Sequence, residues 1–255
     1  VTSSDTGEAT VNTPLTFTPA DWDTPQTVTV TGVDDNLVDG NIDSAITIAV
    51  DDASSDDDFD AVADQTVTAT TTDDDTAGFT VVETDGSTEV AESGTTDTFT
   101  VVLDAQPASD VVVVLTVTSG DTGEATVTSA LTFNDTNWDT PQTVTVTGVD
   151  DDIIDGTISY TVSVAVDDAN SDDDFDAVAD QTVTATTTDD DTAGFTIVET
   201  DGSTEVAESG TTDTFTIVLD AQPASDVVLT FTSSDTGEAT VTSTLTFTNA
   251  NWDTP

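Results

Sequence analysis

Apolar and polar residues alternate with a period of two over most of the chain, and no window carries the 3.6-residue spacing of an amphipathic helix. Between Thr76 and Asp191 the alternation marks seven segments: 78–83 (GFTVVE), 97–104 (DTFTVVLD), 110–118 (DVVVVLTVT), 125–133 (ATVTSALTF), 141–149 (PQTVTVTGV), 159–167 (SYTVSVAVD) and 181–188 (QTVTATTT). Thr and Val dominate them, and β-branched side chains favour a pleated strand. Turn-forming groups such as ETDGS, QPAS, SGDTGE and DDDIIDG separate one segment from the next. The alternation places Phe79, Phe99, Leu103, Phe133, Val144, Val146, Tyr160 and Val162 on inward faces. Trp138, beside Pro141, is expected to pack at an edge.

The pattern then repeats. DTGEATV begins at Asp5, Asp121 and Asp235, and WDTP begins at Trp22, Trp138 and Trp252. A period of this length is too long for a solenoid turn and suits one small domain per repeat. Residues 76–191 form one complete unit, 1–75 the C-terminal part of a preceding one, and 192–255 the N-terminal part of a third. Seven short strands per unit predict an all-β fold of tandem seven-stranded immunoglobulin-like β-sandwiches joined end to end.

Charge changes what such a string of sandwiches needs. The 255 residues hold 53 Asp plus Glu and no Lys, Arg or His, a formal charge of -53. No side-chain ion pair can form, so neutralising charge must come from outside as cations. Self-repulsion of this size opposes a compact state, and acidic composition alone would suggest disorder. The regular placement of the apolar residues argues against disorder. Nucleic acid is excluded as a partner because phosphate contacts require a basic surface. No apolar run reaches the roughly 18 residues of a membrane-spanning helix, so no membrane insertion is expected. Without Cys there is neither disulfide nor thiolate metal site. Without His, Cys or Lys only carboxylate chemistry remains, and near-identical repeats speak against a unique catalytic pocket, so the chain is not read as an enzyme.

The acids are clustered. TTTDDDTAGFT occurs at Thr70–Thr80 and again at Thr186–Thr196, with the triplets Asp73, Asp74, Asp75 and Asp189, Asp190, Asp191 between two β segments. Adjacent like charges do not continue a strand comfortably, so each triplet reads as a joint. The loop after the fifth segment and the chain after the last leave the sandwich at one end. That brings Asp150, Asp151 and Asp155 near Asp189–Asp191. Six to eight oxygens at about 2.3–2.6 Å are what Ca²⁺ takes, and several loops meeting at a tip can supply them. The group Asp172, Asp173, Asp174 and Asp176, beside Asp167 and Asp168, belongs to the opposite end, as either a solvated loop or a second ion site.

The stretches VAESGTTDTFTVVLDAQPASDVVV, TFNDTNWDTPQTVTVTGVDDDIIDG, SDDDFDAV and TVTATTTDDDTAG together resemble the Calx-β domain family, in the tandem form found in large bacterial surface proteins. The resemblance covers essentially the whole chain. It implies a seven-stranded immunoglobulin-like sandwich binding calcium at one end. Carried over by position, it implies ligands at Glu92, Glu124, Asp150, Asp151, Asp155 and Asp189–Asp191, with a backbone carbonyl from Ile153. In the preceding copy the corresponding residues are Glu8, Asp34, Asp35, Asp39 and Asp73–Asp75, and the last copy keeps Glu208 and Glu238. The family often has a further glutamate where this chain has Ile158 and Ile42, a departure that leaves the number of ions open.

These features together lead to an expectation of a calcium-binding structural repeat of a large extracellular adhesin, stalk or fibre, with Ca²⁺ rigidifying domain tips and joints. Its partners would be calcium ions and neighbouring repeats of the same chain, with self-assembly into a filament as an extension. The competing expectation is a cell-surface binding module, recognising carbohydrate or a partner protein through repeated outer faces. Only 5% of the residues are aromatic and most of these sit at inward positions, which favours the structural reading. An acidic surface adapted to high salt, without a specific ion, is the plainest alternative for the clusters.

Overall fold

The computed structural model describes residues 1–12, 14–108 and 113–255. The chain is built from β-strands, and the helical turns among the described residues are three short 3₁₀ turns. Nine strands make up the central part: β1 (Phe79–Glu83), β2 (Thr88–Ala91), β3 (Thr96–Leu103), β4 (Val113–Ser119), β5 (Ala125–Val127), β6 (Ala130–Phe133), β7 (Gln142–Gly148), β8 (Ile158–Val166) and β9 (Gln181–Thr188). They form a four-stranded sheet in the order β5-β7-β3-β1 and a five-stranded sheet in the order β6-β4-β8-β9-β2. Neighbours are antiparallel except β9 and β2, which run parallel with Ala185 opposite Thr88 and Thr188 opposite Ala91.

The two sheets share one core, in a sandwich-like arrangement. Phe99, Val101, Val144 and Val146 come from the first sheet, and Leu115, Phe133, Val162 and Ala185 from the second. All eight residues assigned to inward faces are buried there, and Trp138 packs against the same cluster. Phe175 closes one end of it from a 3₁₀ turn at Asp173–Phe175, which Asp172 caps by accepting from the Asp174 amide.

Nine strands stand where alternation gave seven segments. Thr88–Ala91 was not marked, and the single segment 125–133 divides. The Thr128 amide still donates to the Thr145 carbonyl on β7, whereas the Ser129 carbonyl accepts from Val117 on β4. The chain therefore crosses from one sheet to the other between these two residues. Of the segment 110–118, residues 110–112 lie outside the described residues.

On either side stand smaller sheets. Thr2–Ser3, Ile42–Ile48 and Gln65–Thr71 form one, and Ala9–Val11 pairs with Val30–Gly32. After the central part, Phe195–Glu199 pairs with Phe215–Leu219, and Val227–Thr230 with Thr244–Phe247. These strands carry the same sequence pattern with fewer strands facing them. Phe79 is 2% exposed and its counterpart Phe195 51%, so burial here is decided by the opposing sheet and not by the strand's own alternation.

Candidate metal centre

Strand pairing alone gathers carboxylates at one end of the central sheets. Because β2 and β9 are parallel, the residues that follow them leave side by side: the Glu92 amide donates to the Thr188 carbonyl at 3.1 Å, one residue before Asp189. β5 pairs with β7 with Ala125 opposite Gly148. The residue before β5, Glu124, consequently lies beside the residue after β7, and the Val149 amide donates to the Glu124 carbonyl at 2.9 Å. The loop 150–157 then starts next to Glu124 and returns into β8. Gly156 closes it onto the other side of the site by donating its amide to Asp189 Oδ2 at 2.8 Å.

Two overlapping sets of carboxylates result. Glu92, Asp151 and Asp191 form one; Glu92, Glu124 and Asp155 form the other, and within each set one oxygen per residue lies within 4.8 Å of the others. Oxygens on opposite sides of a single calcium ion stand at most about 4.6–5.2 Å apart, twice the usual Ca–O distance. Either set therefore fits around one ion, with Glu92 common to both. Glu92 is 1% and Glu124 7% exposed. Among the described residues, four buried side-chain oxygens have no hydrogen-bond partner, and three of them are Glu92 Oε2, Glu124 Oε2 and Asp191 Oδ2. A buried polar atom without a partner costs on the order of 1–3 kcal/mol, more when charged. Such atoms are retained where something else coordinates them.

Electrostatics follow from this crowding. Burial, then Asp189, Asp151, Asp155 and Glu124, pushes the Glu92 carboxyl from its ordinary 4.5 up to about 7. Burial first and neighbouring carboxylates second also push up Glu124, Asp155 and Asp191. Asp189 moves down, because the Gly156 and Asp191 amides donate to it. The Gly156 bond ties the loop 150–157 to the chain after β9. The two directions have opposite consequences for stability. A carboxyl raised in the folded state binds its proton more tightly there, so its contribution is full below the unfolded value and is lost as pH rises through the folded value. For Glu92 the window is 4.5 to about 7. In chelator and high salt, the melting temperature is expected to fall as pH is raised through that window. Below it, the depressed Asp189 acts the other way, and its contribution is lost as its carboxylate is finally protonated. Calorimetric scans from about pH 2 to pH 8 check both signs.

The sequence-expected ligands thus divide by position. Glu92, Glu124, Asp151, Asp155 and Asp191 come together. Asp189 serves as a hydrogen-bonded brace, and Asp150 and Asp190 are exposed at the rim, both adding to the field on Asp191. Ile153 donates its amide to Asp151 Oδ1 at 2.7 Å and is bridged to Gln222. Ile158 is partly buried against the core.

In the first copy Glu8, Asp34, Asp35, Asp39 and Asp73–Asp75 line one concavity. The Gly40 and Asp75 amides donate to Asp73 there, as their counterparts do to Asp189. Glu8, Asp39 and Asp75 are pushed up by burial and by neighbouring carboxylates, and Asp73 down. Glu208 and Glu238 are exposed. At the other end, Asp172 is engaged structurally: Oδ1 accepts from Asp174 and Oδ2 from the Ala108 amide at 3.1 Å.

No family model and no curated protein matches the chain. Among solved structures, WR4, a C. elegans MSP family member, is 14% identical, with 44% of this chain and 96% of that one covered, at a TM-score of 0.28. A likeness at that level carries no argument about function.

Proposed function

We propose that the chain is a calcium-binding structural repeat of a large extracellular adhesin, stalk or fibre, of the Calx-β type that the sequence resembles, in which Ca²⁺ stiffens immunoglobulin-like domains at their tips. The observation that carries the reading is the pair of buried glutamates, Glu92 and Glu124, each with an unpartnered oxygen turned among Asp151, Asp155 and Asp191, in a chain without one basic side chain. The plain salt-adapted surface fails to account for them, because carboxylates kept for solubility stand in water and are not buried to 1% and 7% exposure.

An all-oxygen, mostly carboxylate set is a hard-cation site. Mg²⁺ prefers fewer carboxylates and keeps its waters, so Ca²⁺ suits the set better. Glu92, Glu124, Asp151, Asp155 and Asp191 would hold it, and the bound ion would offset the repulsion among them. An ion that binds only the folded state stabilises it by about 2.7 kcal/mol per site at 100-fold excess over Kd. Two sites would then supply a large fraction of a small domain's stability. Such a domain is stable in millimolar calcium and loose where calcium is scarce, as suits a surface protein.

Isothermal titration of the 255-residue chain with CaCl₂ and with MgCl₂ tests this reading. Asp151→Asn keeps the acceptor for the Ile153 amide but removes a charge, and is expected to weaken calcium binding at least about ten-fold. Equal heats for the two metals, unaltered by this substitution, would count against it.

A further inference from the structure

The loop that carries the acids also touches the next repeat, and does so in the same way twice. The Gln106 amide donates to the Asn36 carbonyl at 2.8 Å, and Leu37 and Gln106 form an isolated parallel bridge. The Gln222 amide donates to the Asp152 carbonyl at 2.6 Å, and Ile153 and Gln222 form the same bridge. Each glutamine is anchored in its own repeat by its side chain, Gln106 Nε2 to the Asp135 carbonyl and Gln222 Nε2 to the Asn249 carbonyl, both at 2.9 Å. Just before each glutamine the covalent connection arrives: the Asp104 amide donates to the Gly78 carbonyl and the Asp220 amide to the Gly194 carbonyl.

Every joint therefore has two attachments, the chain itself through the Asp triplet and a bridge outside it. A single covalent strand lets two domains swivel. A second contact removes that freedom.

We propose that the segments at Gln106 and Gln222 are docking sites for the acidic loop of the preceding repeat, and that occupation of the metal site in that loop closes the joint. The partner is the following repeat of the same chain, and the inference rests on the calcium reading above. The loop bears the docking atoms and the ligands within a few residues of each other. Asp151 Oδ1 holds the Ile153 amide and Asp35 Oδ1 holds the Leu37 amide, so the residue that enters the bridge is fixed by a carboxylate of the ligand group. Without a cation, Asp151, Asp155 and Asp191 repel and the loop is free to leave. One bridging hydrogen bond gives only about a five-fold preference for the closed joint, a bias that ordering of the loop readily decides.

Amide hydrogen exchange on the ¹⁵N-labelled full chain, in high NaCl, reads the two joints separately. In millimolar calcium the Gln106 and Gln222 amides are expected to exchange at least about ten-fold slower than unstructured chain. Asp155→Asn removes one carboxylate of the set while Asp151 Oδ1 still holds the Ile153 amide, and should speed exchange at Gln222 several-fold while leaving Gln106 alone. Asp39→Asn should do the reverse, so each variant is the control for the other, and either one alone suffices if its companion fails to fold. Unprotected glutamine amides in the calcium-loaded chain would overturn the docking. Gln222 protection unaltered in Asp155→Asn, while that variant loses part of its calcium-induced rise in melting temperature, would overturn the coupling and leave the site standing. No calcium-induced rise in the unsubstituted chain would instead remove the calcium reading itself.

Discussion

Glu92→Gln is expected to raise the melting temperature in chelator and to erase most of the rise that calcium produces. The side chain is almost wholly buried, one of its oxygens has no partner, and four carboxylates raise its proton affinity. Glutamine keeps the shape, loses the charge and can donate to Asp151 or Asp191. Relief of a buried, unpartnered charge is worth on the order of 1–3 kcal/mol, or several degrees for a domain of about 100 residues. With calcium the sign reverses, because Glu92 is the residue common to both carboxylate sets and its loss weakens either position at least about ten-fold. Calorimetry of both proteins, with and without calcium, checks the two signs together. A variant that melts lower than the parent in chelator would mean that Glu92 stabilises the metal-free fold, contrary to its surroundings.

Gly148→Ala is expected to cost about 3 kcal/mol or more, with no recovery in calcium. A Cβ at this position would run into the Ala91 carbonyl, a backbone atom. Neither side can yield easily: the Gly148 amide donates to the Thr95 carbonyl at 3.0 Å, and Ala91 is paired with Thr188 on β9. Overpacking of this kind commonly costs about 1–3 kcal/mol, more where backbone must shift. Ala91 precedes Glu92, so the displacement also moves the carboxylate common to both sets. The first copy supplies the control. At Gly32 an added Cβ would meet only Thr71 Cγ2, at 3.8 Å, and Gly32→Ala should melt within a degree or two of the parent. Equal effects at the two glycines would show that the collision with Ala91 is not what matters.

Alternation in the sequence located the core because a strand's period of two fixes which residues share a face. Phe99, Val144 and Val162 were legible for that reason. It does not say which sheet a strand joins, and the crossing between Thr128 and Ser129 left no mark in a run of alternating residues. Thr88–Ala91 was invisible for another reason: four residues between two turn-rich stretches hardly show a period. That strand matters most to the site, since its parallel pairing with β9 delivers Glu92. The acidic loops were legible as a group, but not the division of labour within the triplet. Asp189, Asp190 and Asp191 are chemically identical in sequence. A local turn, in which Asp189 accepts from the Asp191 amide at 2.8 Å, makes one a brace, leaves one at the rim and turns one inward. Gln106 and Gln222 carry no mark in the sequence because QPAS reads as an ordinary turn, and only the recurrence of one bridge at two joints distinguishes it.

Thermal unfolding of the 255-residue chain in high NaCl, with millimolar calcium in one arm and excess chelator in the other, tests the central claim most directly. Salt screens general repulsion among the 53 carboxylates, so what remains is ligation. The expected result is a calcium-specific rise of several degrees that magnesium does not reproduce and that Glu92→Gln removes. Superimposable curves in calcium and chelator would contradict it, and the acidic tips would then be a solvated surface with no ion of their own.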